Sequence, residues 1–134
     1  MAILEILPIE SAERGRRADM LLEELGIKHL AKQKANVLSG GEKRRLEISR
    51  ALATNPSFIL LDEPFEGLDK NNREHLARAI NALMASGIQI ILATNRFEMV
   101  LPGITHVICL RACRVACQGP KDQMMAPENL GKVY

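Results

Sequence analysis

Two adjacent carboxylates, Asp62 and Glu63, end the apolar run Phe58-Ile59-Leu60-Leu61 and precede Pro64. In parallel sheets ligands bind beyond the carboxyl ends of strands, where successive side chains point in different directions. One carboxylate can then organise Mg²⁺ while the next polarises a water, the division of labour that phosphoanhydride hydrolysis requires. The same pair also reads as two exposed acids in a strand-to-loop turn. Upstream lies Leu38-Ser39-Gly40-Gly41-Glu42, followed by Lys43, Arg44 and Arg45. Glycines at a helix start present backbone N–H groups, an oriented dipole and a hydroxyl, and leave room for a phosphate to come close. Taken alone, Ser39 is equally an ordinary helix cap. The phosphate cradle G-x-x-x-x-G-K-[ST] does not occur in these 134 residues.

The elements that must position these groups are legible from periodicity. Ala18, Leu21, Leu22 and Leu25 recur at helical spacing and predict a helix over 11–25, with Gly26 as its stop. A short helical turn follows over 27–31 and a polar connection over 33–37. Ser39 with Glu42 three residues later forms a capping-box pattern for a helix over 41–54, ended by Pro56. Residues 58–62 lack alternation, as expected of a strand buried on both faces. Asp69 caps a third helix through 86, with Leu76, Ile80, Leu83 and Met84 inward and Gly87 as the stop. Residues 88–94 form a second buried strand, completing a parallel crossover unit. Beyond Pro102-Gly103, residues 106–110 and 114–118 predict two short strands, and the tail is turn with one short helix.

Composition narrows the class. A hydrophobic fraction of 47% with 25% charged residues describes an ordinary globular chain, and a net charge of +2 gives no strong pull toward nucleic acid or membrane. Aromatics are limited to Phe58, Phe65, Phe97 and Tyr134, so the apolar mass is aliphatic, as suits strands covered by helices. No apolar run reaches the roughly 18 residues that span a bilayer. The opening residues 1–8 carry Glu5 and lack a basic leader, so they do not read as a signal peptide, and a cytoplasmic location is expected. Cys109, Cys113 and Cys117 have a spacing that zinc sites rarely use, which favours small apolar roles in strands. His29, His75 and His106 are dispersed and read as structural or solvent-facing.

The ordered set Leu38-Ser39-Gly40-Gly41-Glu42, Arg45, Ala51-Leu52, Pro56, Ile59 to Pro64 and Gly67-Leu68-Asp69 closely resembles the ATP-binding-cassette (ABC) ATPase family. The resemblance covers nearly the whole chain. It implies an α/β fold: a partial P-loop NTPase (RecA-like) core with parallel strands plus the family's helical subdomain. In that layout residues 10–37 are the helical subdomain, 38–56 the signature loop and helix, and 57–134 the later part of the core. Position by position, Ser39, Gly40, Gly41 and Glu42 match the signature loop, Asp62 the Walker B aspartate that holds Mg²⁺ through water, Glu63 the catalytic glutamate and Asp69 the D-loop aspartate. Arg45 takes a core-facing or dimer-facing place. The family's signature loop grips ATP held by a second cassette, so the implied cofactors are ATP and Mg²⁺. The implied partners are a second cassette and a membrane permease, with the chain peripheral on the inner membrane face. Direct binding of nucleic acid is not expected.

Two departures qualify the match. The phosphate loop (Walker A) has no counterpart within residues 1–134, so the chain alone is expected to be inactive until a Walker A-bearing partner or preceding segment completes it. Asn95 stands at the switch-histidine position in Ala93-Thr94-Asn95-Arg96. An amide can donate a hydrogen bond to phosphate but cannot carry a proton, so slow turnover is expected. The run Asn95-Arg96-Phe97-Glu98 with Pro102 resembles the first cassette of soluble tandem-cassette molybdate-transport or photorepair ATP-binding proteins. Two alternatives stay open: a non-catalytic module that docks on a complete cassette, and a split head of an SMC/Rad50-like DNA-repair ATPase.

Overall fold

The computed structural model describes residues 10–130, which divide into two compact units, one ending at Met99 and the other starting at Val100. The opening residues 1–8, read above as no signal peptide, lie outside the described residues.

The first unit begins with helix α1 (Ser11–Glu24), which buries Leu21 and Leu22 and stops where Gly26 turns at φ +69. A single 3₁₀ turn over Lys28–Leu30 follows as expected. The connection after it is more ordered than its polarity suggested, because Ala35–Val37 closes into a second 3₁₀ turn. Helix α2 (Gly40–Leu52) packs on α1, and its buried Ser49 hydroxyl donates to the Arg45 carbonyl at 3.0 Å and lies 3.4 Å from the Leu21 carbonyl. Strand β1 (Phe58–Asp62), helix α3 (Lys70–Ala85) and strand β2 (Gln89–Ala93) then form the crossover, with β1 and β2 parallel and Asp62 opposite Ala93. Helix α3 packs on α2 and buries Leu76, Ile80 and Leu83, while Met84 is only half-buried.

The expectation that both strands are buried on both faces is overturned. In β1 only Ile59 and Leu61 are buried, whereas Phe58 and Leu60 are 56% and 62% exposed. In β2, Ile90 and Leu92 are half-buried and Ile91 is 51% exposed. Among the described residues these strands pair only with each other, so one face of the sheet is covered and the other is not.

The second unit is a hairpin of β3 (His106–Arg111) and β4 (Arg114–Pro120), antiparallel, with a bulge where Cys109 pairs with Cys117 but Leu110 pairs with Val115. Ala112 and Cys113 take positive φ (+48 and +58) at its tip. The tail forms two short helices rather than one, α4 (Lys121–Met124) and α5 (Pro127–Leu130).

Candidate functional site

The glycine turn is built as the capping-box pattern requires. Ser39 is the N-cap of α2: its Oγ accepts from the Glu42 N–H at 3.4 Å, and the Glu42 carboxylate accepts from the Ser39 N–H at 2.7 Å. That N–H, and then the Ser39 hydroxyl, hold the Glu42 carboxyl below its ordinary value. Gly40 and Gly41 are the first two helical residues, whose amides have no intrahelical acceptor. Nothing lies within 4 Å of where a Cβ on Gly40 would stand, so this side of the turn is open to an incoming group.

Gly41 is required for the opposite reason. A Cβ there would meet Asn72 Cγ and Oδ1 at 2.7 Å and Asn72 Cβ at 2.9 Å. Asn72 belongs to the first turn of α3, where its N–H and side-chain NH₂ donate to the two oxygens of Asp69 at 2.9 and 2.6 Å. The Asn72 N–H is the main reason the Asp69 carboxyl is lowered. The structure therefore brings Ser39, Gly40, Gly41 and Glu42 together with Asp69, through Asn72. Sequence reasoning missed Asn72, and the available signal was its place three residues after a capping aspartate.

A second cluster forms at the carboxyl ends of β1 and β2. Asp62 is exposed and makes no hydrogen bond or ion pair among the described residues. Glu63 turns the chain at φ +41, and its N–H donates to the Ala93 carbonyl at 2.9 Å. Its carboxylate accepts from the Asn95 N–H at 2.7 Å and from the Thr94 hydroxyl at 3.0 Å. Its carbonyl accepts from Arg44 Nη2 at 3.4 Å, so the basic start of α2 reaches the strand end. Asn95 is thus placed beside Glu63, joined by its backbone amide.

No hydrogen bond among the described residues joins Asp62 or the Glu63 carboxylate to Ser39, Gly40, Gly41 or Asp69. The two clusters are not joined to each other through these groups. Nor is there, among the described residues, a group of three or more His, Cys, Asp or Glu that could hold a metal directly. An exposed, unengaged carboxylate such as Asp62 still suits a hydrated Mg²⁺, a hard cation that keeps most of its waters. Arg45 is buried at 9% exposure, and its Nε and Nη1 have no hydrogen-bond partner among the described residues. It lines a cleft of about 560 Å³ with residues of α1 and α3, away from Asp62 and Glu63.

The parallel crossover with its helices is an α/β arrangement that P-loop NTPase-type ATPases share. Residues 2–66 match the family model described as ABC transporter. Over its whole length the chain is 38% identical to the "Lipopolysaccharide export system ATP-binding protein LptB" of Escherichia coli K12 and 36% identical to that of Haemophilus influenzae. It spans 56% of each of those relatives. Among solved structures, MJ1267, an ATP-binding cassette of an ABC transporter, superposes with a TM-score of 0.80 at 30% identity over 96% of this chain and 52% of that one. The cbiO1 cassette of Clostridium perfringens gives 0.82 at 28% identity, over 93% and 50%. The chain is thus similar to ATP-binding proteins of the ABC transporter family, and it spans about half the length of the relatives and solved cassettes it matches.

Proposed function

We propose that the chain contributes the signature and Walker B halves of an ABC-type ATPase that binds and hydrolyses ATP at a composite dimer interface and drives transport. The observation that carries this reading is the strand-end cluster. Glu63 stands at the carboxyl end of a parallel strand pair, its carboxylate held by Thr94 and Asn95 and its neighbour Asp62 left open to solvent. A carboxylate oriented by two donors is a positioned general base for an attacking water. Asp62 would hold Mg²⁺ through water, where the cation would neutralise charge on the phosphates. Ser39 Oγ–H and the Gly40 and Gly41 amides would serve ATP bound to a second cassette, with Asp69 across the same interface. Export of a lipid such as lipopolysaccharide, the role in the name of the LptB relatives, is the transport reading they support. A membrane permease on the inner face is the matching partner.

Residues 1–134 alone are expected to hydrolyse no ATP, since this stretch carries no phosphate cradle. Within a completed cassette, Glu63→Gln should lower kcat by about 10²–10⁴-fold, as removal of a general base does. Steady-state ATPase assays on both proteins decide it. If hydrolysis stays unchanged, the chain is a docking module that regulates a complete cassette. Asn95→His should raise turnover in the same assay, because an imidazole can take up a proton where the amide cannot. Equal rates would remove Asn95 from the account of turnover.

A further inference from the structure

We propose that Cys109 and Cys117 form an oxidative modification site, at which a peroxide converts the two thiols into a cross-strand disulfide within the β3–β4 hairpin. The two residues are direct partners in the antiparallel register. Residues so paired have Cα atoms about 4.5 or 5.5 Å apart, depending on the kind of pair. Both separations fall inside the window of about 4.4–6.8 Å that a disulfide spans. Directly opposite side chains also leave the same face of the hairpin, which points the two thiols to one side. Both thiols are free. Cys113, the third thiol, is exposed at the hairpin tip and lies outside the paired register.

The surroundings assign an order to the chemistry. Cys117 is half-buried and within reach of a small peroxide, whereas Cys109 is 6% exposed and burial pushes its thiol up. The Cys117 sulfur attacks a peroxide oxygen, the O–O bond breaks, and an alcohol or water leaves with the proton, giving the sulfenic acid. The Cys109 sulfur then attacks the sulfenic sulfur. The S–S bond forms, the S–O bond breaks, and hydroxide departs with the Cys109 proton as water. Two thiols lose two electrons and one peroxide gains them. The bond closes beside the bulge at Ala116, which the register leaves unpaired, and so fixes the irregular part of the hairpin.

The test treats the chain with hydrogen peroxide, alkylates it under denaturing conditions and maps tryptic peptides by mass spectrometry. Cleavage at Arg111 and Arg114 places the three cysteines on different peptides. The expected result is two of three thiols protected, with the Cys109 and Cys117 peptides linked at a mass lower by two hydrogens. Cys113→Ser should leave that link intact, and Cys109→Ser should leave a dimedone-reactive sulfenic acid at Cys117. Three alkylatable thiols after treatment, a link through Cys113, or linkage only between chains would each overturn the proposal. The wild-type map alone decides it if a variant does not fold.

Discussion

Gly41 and Glu63 show how single residues set the geometry of the two clusters. Glu63 adopts φ +41, a left-handed conformation that costs a non-glycine residue about 1–2 kcal/mol. Its N–H, carbonyl and both carboxylate oxygens are each engaged, which offsets that strain and aims the carboxylate at the loop after β2. Gly41 is fixed from outside by Asn72, which stands where a side chain would go. Gly41→Ala should therefore destabilise the chain by about 1–3 kcal/mol, the usual cost of overpacking. Asn72→Gly removes the atoms it would strike, so the double variant should lose less than the sum of the two single changes. Urea unfolding of the four proteins measures this coupling, and simple additivity would separate the glycine turn from the start of α3. The strand-end place of Glu63 was legible in the sequence, but the contact that fixes Gly41 was not. A glycine at a helix start reads as room for a ligand, and nothing in the local sequence says that an asparagine thirty-one positions later fills the other side.

At the scale of elements the sequence was more explicit, because caps and stops are local chemistry. The capping box of α2, the Asp69 cap of α3 and the Gly26 and Gly87 stops all formed where residue types placed them. The parallel crossover followed from two short apolar runs separated by an amphipathic helix, and the strands pair in register from Phe58–Gln89 to Asp62–Ala93. Both capping carboxyls are held below their ordinary values of 4.5 for Glu42 and 3.8 for Asp69. A depressed carboxyl stabilises the fold above its unfolded-state value and loses that contribution as pH falls through the folded value. The starts of α2 and α3 should thus loosen together on acidification below about pH 4. Carboxyl NMR titration should place both inflections below the ordinary values. Ser39→Ala should cost about 1 kcal/mol and move the Glu42 inflection part of the way back, since the hydroxyl is the second cause of its shift. An unmoved inflection would assign the whole effect to the backbone N–H.

On the whole molecule the sequence misled on burial, for a physical reason. An unbroken aliphatic run such as Ile59-Leu60-Leu61 specifies a strand with apolar side chains on both faces, but it does not say how many layers these residues themselves provide. Only one face of the β1–β2 pair is covered, and Phe58, Leu60 and Ile91 are left open on the other. In the second unit Ile108, Leu110 and Val115 are 63%, 68% and 57% exposed, while Cys109 between them is buried. Six large apolar side chains on two sheet surfaces exceed the scattered exposure normal for a monomer, and such patches drive association. A chain of residues 1–134 should therefore self-associate with rising concentration and bind an apolar dye such as ANS. Leu60→Lys, on the open face of β1, should reduce both, with helix content by circular dichroism unchanged because the covered face keeps Ile59 and Leu61. Ile59→Lys is the matching contrast. It buries a charge on the covered face and should unfold the first unit rather than solubilise it. Sedimentation velocity across a concentration series separates these outcomes: a chain that stays monomeric with Leu60 intact would show that the open face drives no association.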